Sequence, residues 1–281
     1  MGMSINTNVM SINAQRNSAA NDNSLATSLQ RLSSGLRVNS AKDDAAGLAI
    51  ASRMDAQARG MNVAVRNAND GISLVQTAES GMAVIGDMLQ RMRELAVQGS
   101  NQTNSESDLT ALKAEYDQLI EEITRTTESV KFNGVSLLDT TDDVLLQVGA
   151  DEAQTITISA TDSLNIADDA DLTAATGSTF GTDPASAADD NGANVTLIDD
   201  AIQAVNTFRS QLGSYQNRIN YTISFLQSAS ENQQAARGRI MDADFAVETA
   251  NLSRAQILKQ AGTAMVAQAN QLPQGVLALL K

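Results

Sequence analysis

AKDDAAGLAIASRMDAQARGMNVAVRNANDGISLVQTAESGMAVIGDMLQRMRELAVQ, residues 41–98, decides the fold. It contains no proline. Apolar or small residues recur at Met54, Met61, Val65, Ala68, Ile72, Val75, Ala78, Met82, Ile85, Leu89, Met92 and Ala96. The steps are mostly four and three, which is a heptad seam on one helix. At ~1.5 Å per residue such a helix is roughly 85 Å long. A rod of that length needs partner helices of similar length, from the same chain or from copies of it. Gly47, Gly60, Gly71, Gly81 and Gly86 lie within it, each a cost of ~1 kcal/mol if interior and exposed. Glycines this frequent predict close approach of a neighbouring helix; the plainer alternative is tolerance.

A partner appears near the other end. From about Val195, the positions Ile198, Ala201, Val205, Phe208, Leu212, Tyr215, Ile219, Thr222 and Leu226 keep the same rhythm, continued by Ala229, Gln233, Ala236 and Ile240. Between them, GSNQTNSES (99–107) reads as a turn, with Ser105 and Asp108 as an N-terminal cap. Leu109, Leu112, Tyr116, Leu119 and Ile123 follow as a shorter helix folding back as a hairpin. Phe132-Asn133-Gly134 signals a turn. Val144 to Val148 and Thr155 to Ile158 read as a β-hairpin. Residues 162–193 read as a surface connection of low order with at most one short strand.

The extremities differ from this middle. Leu25, Leu29, Leu32 and Leu36 form a narrow helical stripe, with Ile5, Val9 and Ile12 as a shorter one. Such a helix is marginal alone and orders against a partner. MDADF (241–245) interrupts the rhythm of the second long helix. The last helix, about 246–271, carries Leu252, Leu258, Ala261, Met265, Ala269 and Leu272 towards one side, and Pro273 ends or bends it. Val276, Leu277, Leu279 and Leu280 form an apolar tail that must dock on something, the N-terminal stripe first.

The expected fold is mainly α: a long helical coiled-coil bundle formed by both chain ends, with a small β-hairpin region in the middle. Three divisions follow. Residues 1–42 and 241–281 are terminal helices, 43–140 and 194–240 a helical rod, and 141–193 a short hairpin with a variable surface connection.

The 281 residues include no cysteine and no histidine, which removes disulfides, thiolate nucleophiles, imidazole bases and the usual zinc sites. A net charge of −14 argues against nucleic acid and against an anionic membrane surface. No run approaches a membrane span. The start, MGMSINTNVMS, lacks the pattern of a cleaved secretory signal, so export is expected to follow another route. From Phe132 to Phe208 there is no Lys or Arg. That reads as a solvated acidic surface, with a calcium site as the sharper alternative.

LQRLSSGLRVNSAKDDAAGLAIASRM (29–54) resembles the amino-terminal signature of bacterial flagellins. SRAQILKQAGTAMVAQANQLPQGVLALLK (253–281) resembles their carboxy-terminal signature. The resemblance covers about residues 3–140 and 194–281. It implies that both ends form the inner tube of an extracellular filament, with Leu25, Leu29, Leu32, Leu36, Leu258, Met265, Leu272, Leu279 and Leu280 packing its core. It implies a homopolymer serving motility and no enzyme activity or cofactor. It also implies unfolded export through the flagellar type III apparatus, and a chaperone on the C-terminal helix. The flagellar cap and hook-junction proteins are the further implied partners. QRMRELAVQ (90–98) resembles the motif gripped by the flagellin-sensing Toll-like receptor, so Gln90, Arg91, Leu95 and Glu115 become receptor-contact candidates. There Arg91 would offer a guanidinium fork and Leu95 an apolar knob, while packing is their plainer role. The C-terminal LALLK resembles the portion seen by the inflammasome sensor. A hook–filament junction protein is the alternative, sharing the terminal pattern but unable to form long polymers. A zinc protease carried on a filament needs HExxH, which a chain without histidine lacks.

Overall fold

The computed structural model describes residues 7–278, with side chains as far as Gln271. Seven helices and two strand pairs occur among them: α1 (Val9–Ser34), α2 (Ala45–Gly99), α3 (Glu106–Ser129), β1 (Lys131–Phe132), β2 (Val135–Ser136), β3 (Val144–Gln147), β4 (Thr155–Ile158), α4 (Ala160–Ser163), α5 (Ala170–Thr176), α6 (Ala187–Met241) and α7 (Phe245–Ala278). They form two compact units, residues 57–230 and residues 1–56 with 231–281. The expected mainly α fold with a small β region is the fold observed.

In unit 57–230 the seams of α2, α3 and α6 merge. Val75, Met82, Ile85, Leu89 and Met92 of α2 are buried with Leu109, Tyr116 and Ile123 of α3 and with Ile198, Val205 and Leu212 of α6. Each fully buried side chain of this size contributes ~1.5–3 kcal/mol of transfer free energy. Polar pairs fix the antiparallel run of α2 and α6. Gln216 Nε2 donates to Glu79 Oε2 at 3.2 Å, and Ser230 Oγ to Asn62 Oδ1 at 3.2 Å. Ser105 and Asp108 close a full capping box on α3, as their spacing predicts.

The β elements are local. Asn133 and Gly134 both take positive φ, 50° and 85°, the conformation a two-residue hairpin turn requires between β1 and β2. β3 and β4 pair antiparallel, Val144 opposite Ile158 and Gln147 opposite Thr155.

The segment after β4 corrects the expectation of low order. Ser159 and Asp169 cap the two short helices α4 and α5. Leu164, Ile166, Leu172, Ala175 and Phe180 are all buried in the main core. The Tyr116 and Phe180 rings lie 5.3 Å apart at 51°. The Tyr116 hydroxyl meets Ser178 Oγ at 2.7 Å. α6 begins at Ala187, earlier than the apolar rhythm indicates. Its first turns are held by side-chain amides: Asn191 exchanges two hydrogen bonds with the backbone of Gly181, and Asn194 Nδ2 donates to Thr179 O at 3.0 Å.

Gly60, Gly71 and Gly81 of α2 are crowded, but not by a neighbouring helix. A Cβ on Gly60 would lie 2.8 Å from Ala150 Cβ and 3.2 Å from its Cα, in the β3–β4 loop. One on Gly71 would overlap Leu146 of β3, and one on Gly81 would lie 2.7 Å from Val130 Cγ2. The absent side chains make room for the segment 130–150. At Gly86 the nearest atom, Val205 Cγ1, is at an ordinary 3.8 Å, and at Gly47 the neighbour is Asp44, the residue just before the helix.

In the other unit the link after α1 pairs with the link before α7. Arg37 N donates to Met241 O at 2.6 Å, and Ala243 N to Gly35 O at 2.9 Å, around a small cluster of Val38, Ala51 and Met241. The Asp43 carboxylate accepts from the backbone N–H of Asn39 and Ser40 and from the Ser40 hydroxyl, ordering the turn into α2. Those three bonds, the Ser40 hydroxyl first, hold its pKa below the usual carboxylate value. α7 does not end before Pro273 but continues to Ala278. Proline has no N–H for the carbonyl four residues back. That carbonyl, of Ala269, accepts Asn8 Nδ2 at 2.7 Å instead.

Candidate functional site

Two surfaces carry the expected functional residues. The first is the α1–α7 pair. Its shared seam is thin and largely polar. Ser11, Ser28, Glu248, Ala255 and Ala269 are buried in it, with Leu25, Leu32 and Leu252 half-buried. Register comes from polar contacts: Ser11 Oγ to Asn270 Oδ1 at 2.8 Å, Lys259 Nζ to Asp22 at 3.0 Å, and Arg31 to the buried Glu248 at 3.9 Å. The Asn8 side chain serves both helices, its oxygen capping α1 through Ser11 N and its amide closing on α7.

The large apolar side chains mostly face outwards. Val9, Met10, Ile12 and Leu29 of α1 are exposed, as are Phe245, Val247, Ile257, Leu258 and Met265 of α7. Of the expected core-packing residues, Leu25, Leu32 and Leu36 are half-buried, while Leu29, Leu258 and Met265 are exposed. The Leu272 side chain, Leu279 and Leu280 lie outside the described residues. A helix pair that buries serines and exposes leucine, isoleucine and methionine has its main apolar face unpartnered.

The second surface lies across α2 and α3. Arg91 Nε donates to Glu115 Oε1 at 2.8 Å, and its Nη1 to Glu94 Oε2 at 2.9 Å. Hydrogen bonds to Glu115, then Glu94, raise the guanidinium's already high pKa. Gln90 is exposed beside it. Leu95 differs from the expected knob: it is 1% exposed and part of the main core. The heptad explains this, since three-residue steps run from Leu89 through Met92 to Leu95. Sequence reasoning missed Glu94 and the neighbouring Arg93, which grips Asp199 of α6 through Nε at 2.6 Å and Nη2 at 3.2 Å. Only three-dimensional proximity shows the second pair.

Among the described residues, no group of three or more His, Cys, Asp or Glu is placed to hold a metal ion. The acidic side chains of 132–208 are spread over the surface rather than gathered. No helix among the described residues is long and apolar enough to cross a membrane.

The profile of the bacterial flagellin N-terminal helical region matches residues 5–143, and that of the C-terminal helical region residues 195–280. A flagellin of Halalkalibacterium halodurans is 48% identical over 280 residues, covering 99% of this chain and 100% of that protein. The flagellar filament 33 kDa core protein of Treponema phagedenis is 39% identical over 297 residues, covering 99% and 100%. A solved structure from Vibrio parahaemolyticus, described as a flagellar hook-associated protein, aligns with TM-score 0.60 over 71% of this chain and 100% of that one. At 13% identity it shares the fold alone. With both helical regions matched and a 48% identical relative aligned end to end, the chain belongs to the bacterial flagellins.

Proposed function

We propose that this chain is the structural subunit of an extracellular flagellar filament, assembled by coupled folding and association of its ends. One observation carries the reading. α1 and α7 bury a thin polar seam against each other and leave Val9, Met10, Ile12, Leu29, Ile257, Leu258 and Met265 to solvent. Other copies supply the missing cover. A heterologous contact that does not close on itself repeats without limit and makes an open helical polymer. Leu25 and Leu32 hold the pair together, Leu36 packs on the link cluster of Val38, Ala51 and Met241, and Leu29, Leu258 and Met265 meet the neighbours. The expected places of Leu272, Leu279 and Leu280 in the same tube extend this reading to the end of the chain.

The test is truncation. Removing 1–40 or 246–281 leaves a soluble helical monomer that seeds do not elongate. Normal fibres from either truncated chain, seen by electron microscopy, contradict the reading. The hook–filament junction alternative differs in the same assay, since such a protein makes no long fibres.

The finer partners belong to the same proposal. The apolar face of α7 suits a cytosolic chaperone that keeps it covered until unfolded export through the flagellar type III apparatus. The cap and hook-junction proteins meet the two ends of the polymer. Gln90, Arg91 and Glu115 offer the flagellin-sensing Toll-like receptor a charged, exposed patch, and Leu95 supports it from beneath. Arg91→Ala is therefore expected to weaken receptor signalling by the monomer with little change in melting temperature. Unchanged signalling removes that assignment.

A further inference from the structure

We propose that Met10 and Met265 form a methionine oxidation site whose sulfoxidation by a peroxide blocks assembly. The proposal rests on the reading that the α1–α7 face is buried in the polymer. The chain has no cysteine, so methionine is its only sulfur. Among the described methionines the exposures divide sharply. Met82 and Met92 are 0% exposed and Met241 7%. Met54, Met61 and Met88 are half-buried. Met10 and Met265 are 64% and 62% exposed.

These two share one place. Met10 and Ala14 of α1, with Leu258, Ala261, Gly262 and Met265 of α7, form the apolar part of a groove of about 390 Å³ between the helices, whose α1 wall also carries Asn13, Asn17, Ser18 and Asn21. Gly262, with no side chain, leaves it open, and Ser18 is its nearest opposing side chain. An unbranched thioether adapts its shape to an incoming neighbour, which suits a surface covered only on assembly. The same exposure opens the sulfur to oxidants before assembly.

The chemistry is a two-electron oxygen transfer. The thioether sulfur attacks one oxygen of hydrogen peroxide, the O–O bond breaks, and a new S–O bond forms. Sulfur is oxidised, the peroxide is reduced, and its second oxygen leaves as water. The product is a polar sulfoxide that methionine sulfoxide reductases reverse. Burying it without a hydrogen-bond partner against an apolar neighbour is unfavourable. Once assembled, the same face is closed to the oxidant, so the site responds in the free subunit and not in the polymer.

The experiment treats the full-length monomer with hydrogen peroxide, maps added oxygen by peptide mass spectrometry, and measures the critical concentration for seeded elongation. Met10 and Met265 are expected to gain oxygen before Met82, Met92 and Met241. The critical concentration is expected to rise roughly tenfold as the two exposed methionine side chains become polar. Sulfoxide reductase treatment should restore it. Met10→Leu/Met265→Leu, apolar and of similar volume, should elongate after the same exposure to peroxide. Unchanged elongation of wild-type chains oxidised at both positions overturns the proposal. So does equal loss in the peroxide-treated double variant. Should the untreated double variant fail to elongate, the wild-type arm with reductase rescue decides alone. Preformed filaments should resist oxidation at both positions. If they oxidise as fast as monomers, the buried-face reading fails, whereas oxidised monomers that still elongate defeat this proposal alone.

Discussion

Asn8 joins the two ends of the chain. Its Nδ2 donates to the carbonyl of Ala269 at 2.7 Å, across 261 positions of sequence. That carbonyl is the one Pro273 cannot serve, so a proline that would otherwise break α7 is accommodated by α1. The same side chain caps α1 through its oxygen.

The two roles separate by substitution. Asn8→Asp keeps the capping acceptor and loses the donor to Ala269. It is expected to cost about 1 kcal/mol in the α1–α7 pair. Faster amide exchange in the last turns of α7 reports it. Adding Pro273→Ala, which returns an N–H to Ala269 O, should recover most of the loss.

The glycines of α2 give a prediction of opposite signs. Gly60→Ala puts a methyl against the Ala150 backbone, which cannot rotate away. A cost of about 1–3 kcal/mol is expected from overpacking. Gly86→Ala meets Val205 Cγ1 at 3.8 Å and gains helix propensity, so stabilisation of up to about 1 kcal/mol is expected. Thermal unfolding of the two variants checks both signs.

Tyr116 governs the alkaline limit. Burial pushes its phenol pKa up, outweighing the hydrogen bond to Ser178. The folded chain therefore holds this proton more tightly than the unfolded chain. The resulting stability is intact below about pH 10, the ordinary tyrosine value, and falls as pH rises through the higher folded value. Tyr116→Phe should cost about 1 kcal/mol at neutral pH. It should also flatten this alkaline fall in denaturant midpoints.

At the acid end Asp108 acts in the opposite sense. The Ser105 hydroxyl, then the Ser105 N–H, lower its pKa from 3.8. Its contribution is complete above the unfolded value and lost as pH falls below it through the lower folded value. Ser105→Ala removes the N-cap and the larger cause of this acid dependence, while the backbone N–H remains. A cost of about 1 kcal/mol at pH 7 is expected. The gap from wild type should narrow below about pH 4, the ordinary Asp value. Circular dichroism melts across this range check it.

The long elements were legible because period reveals them. Val75 to Met92 and Ile198 to Leu226 repeat every three or four residues, and that repetition alone separates a buried stripe from its flanks. The Ser105–Asp108 box and the Asn133-Gly134 turn were legible for a chemical reason, since few residue types do those tasks. Residues 160–180 were not. Leu164, Ile166, Leu172 and Phe180 are single apolar residues scattered among Asp, Ala and Thr, without a period. Only the caps at Ser159 and Asp169 signal α4 and α5, and those residue types are common throughout the segment. At the receptor-like patch, Arg91 and Glu115 lie on separate helices; resemblance named each of them, and only the structure shows their ion pair. The inward turn of Leu95 followed from the heptad, had the seam been extended by one step.

The central claim is that α1 and α7 reach full stability only with neighbours, and hydrogen exchange as a function of concentration tests it most directly. Below the critical concentration, amides of 9–34 and 245–271 should exchange fast while those of 75–92, 109–126 and 198–226 stay protected. In filaments all should be protected. Strong protection of both terminal segments in dilute monomer, unchanged by polymerisation, would contradict the account.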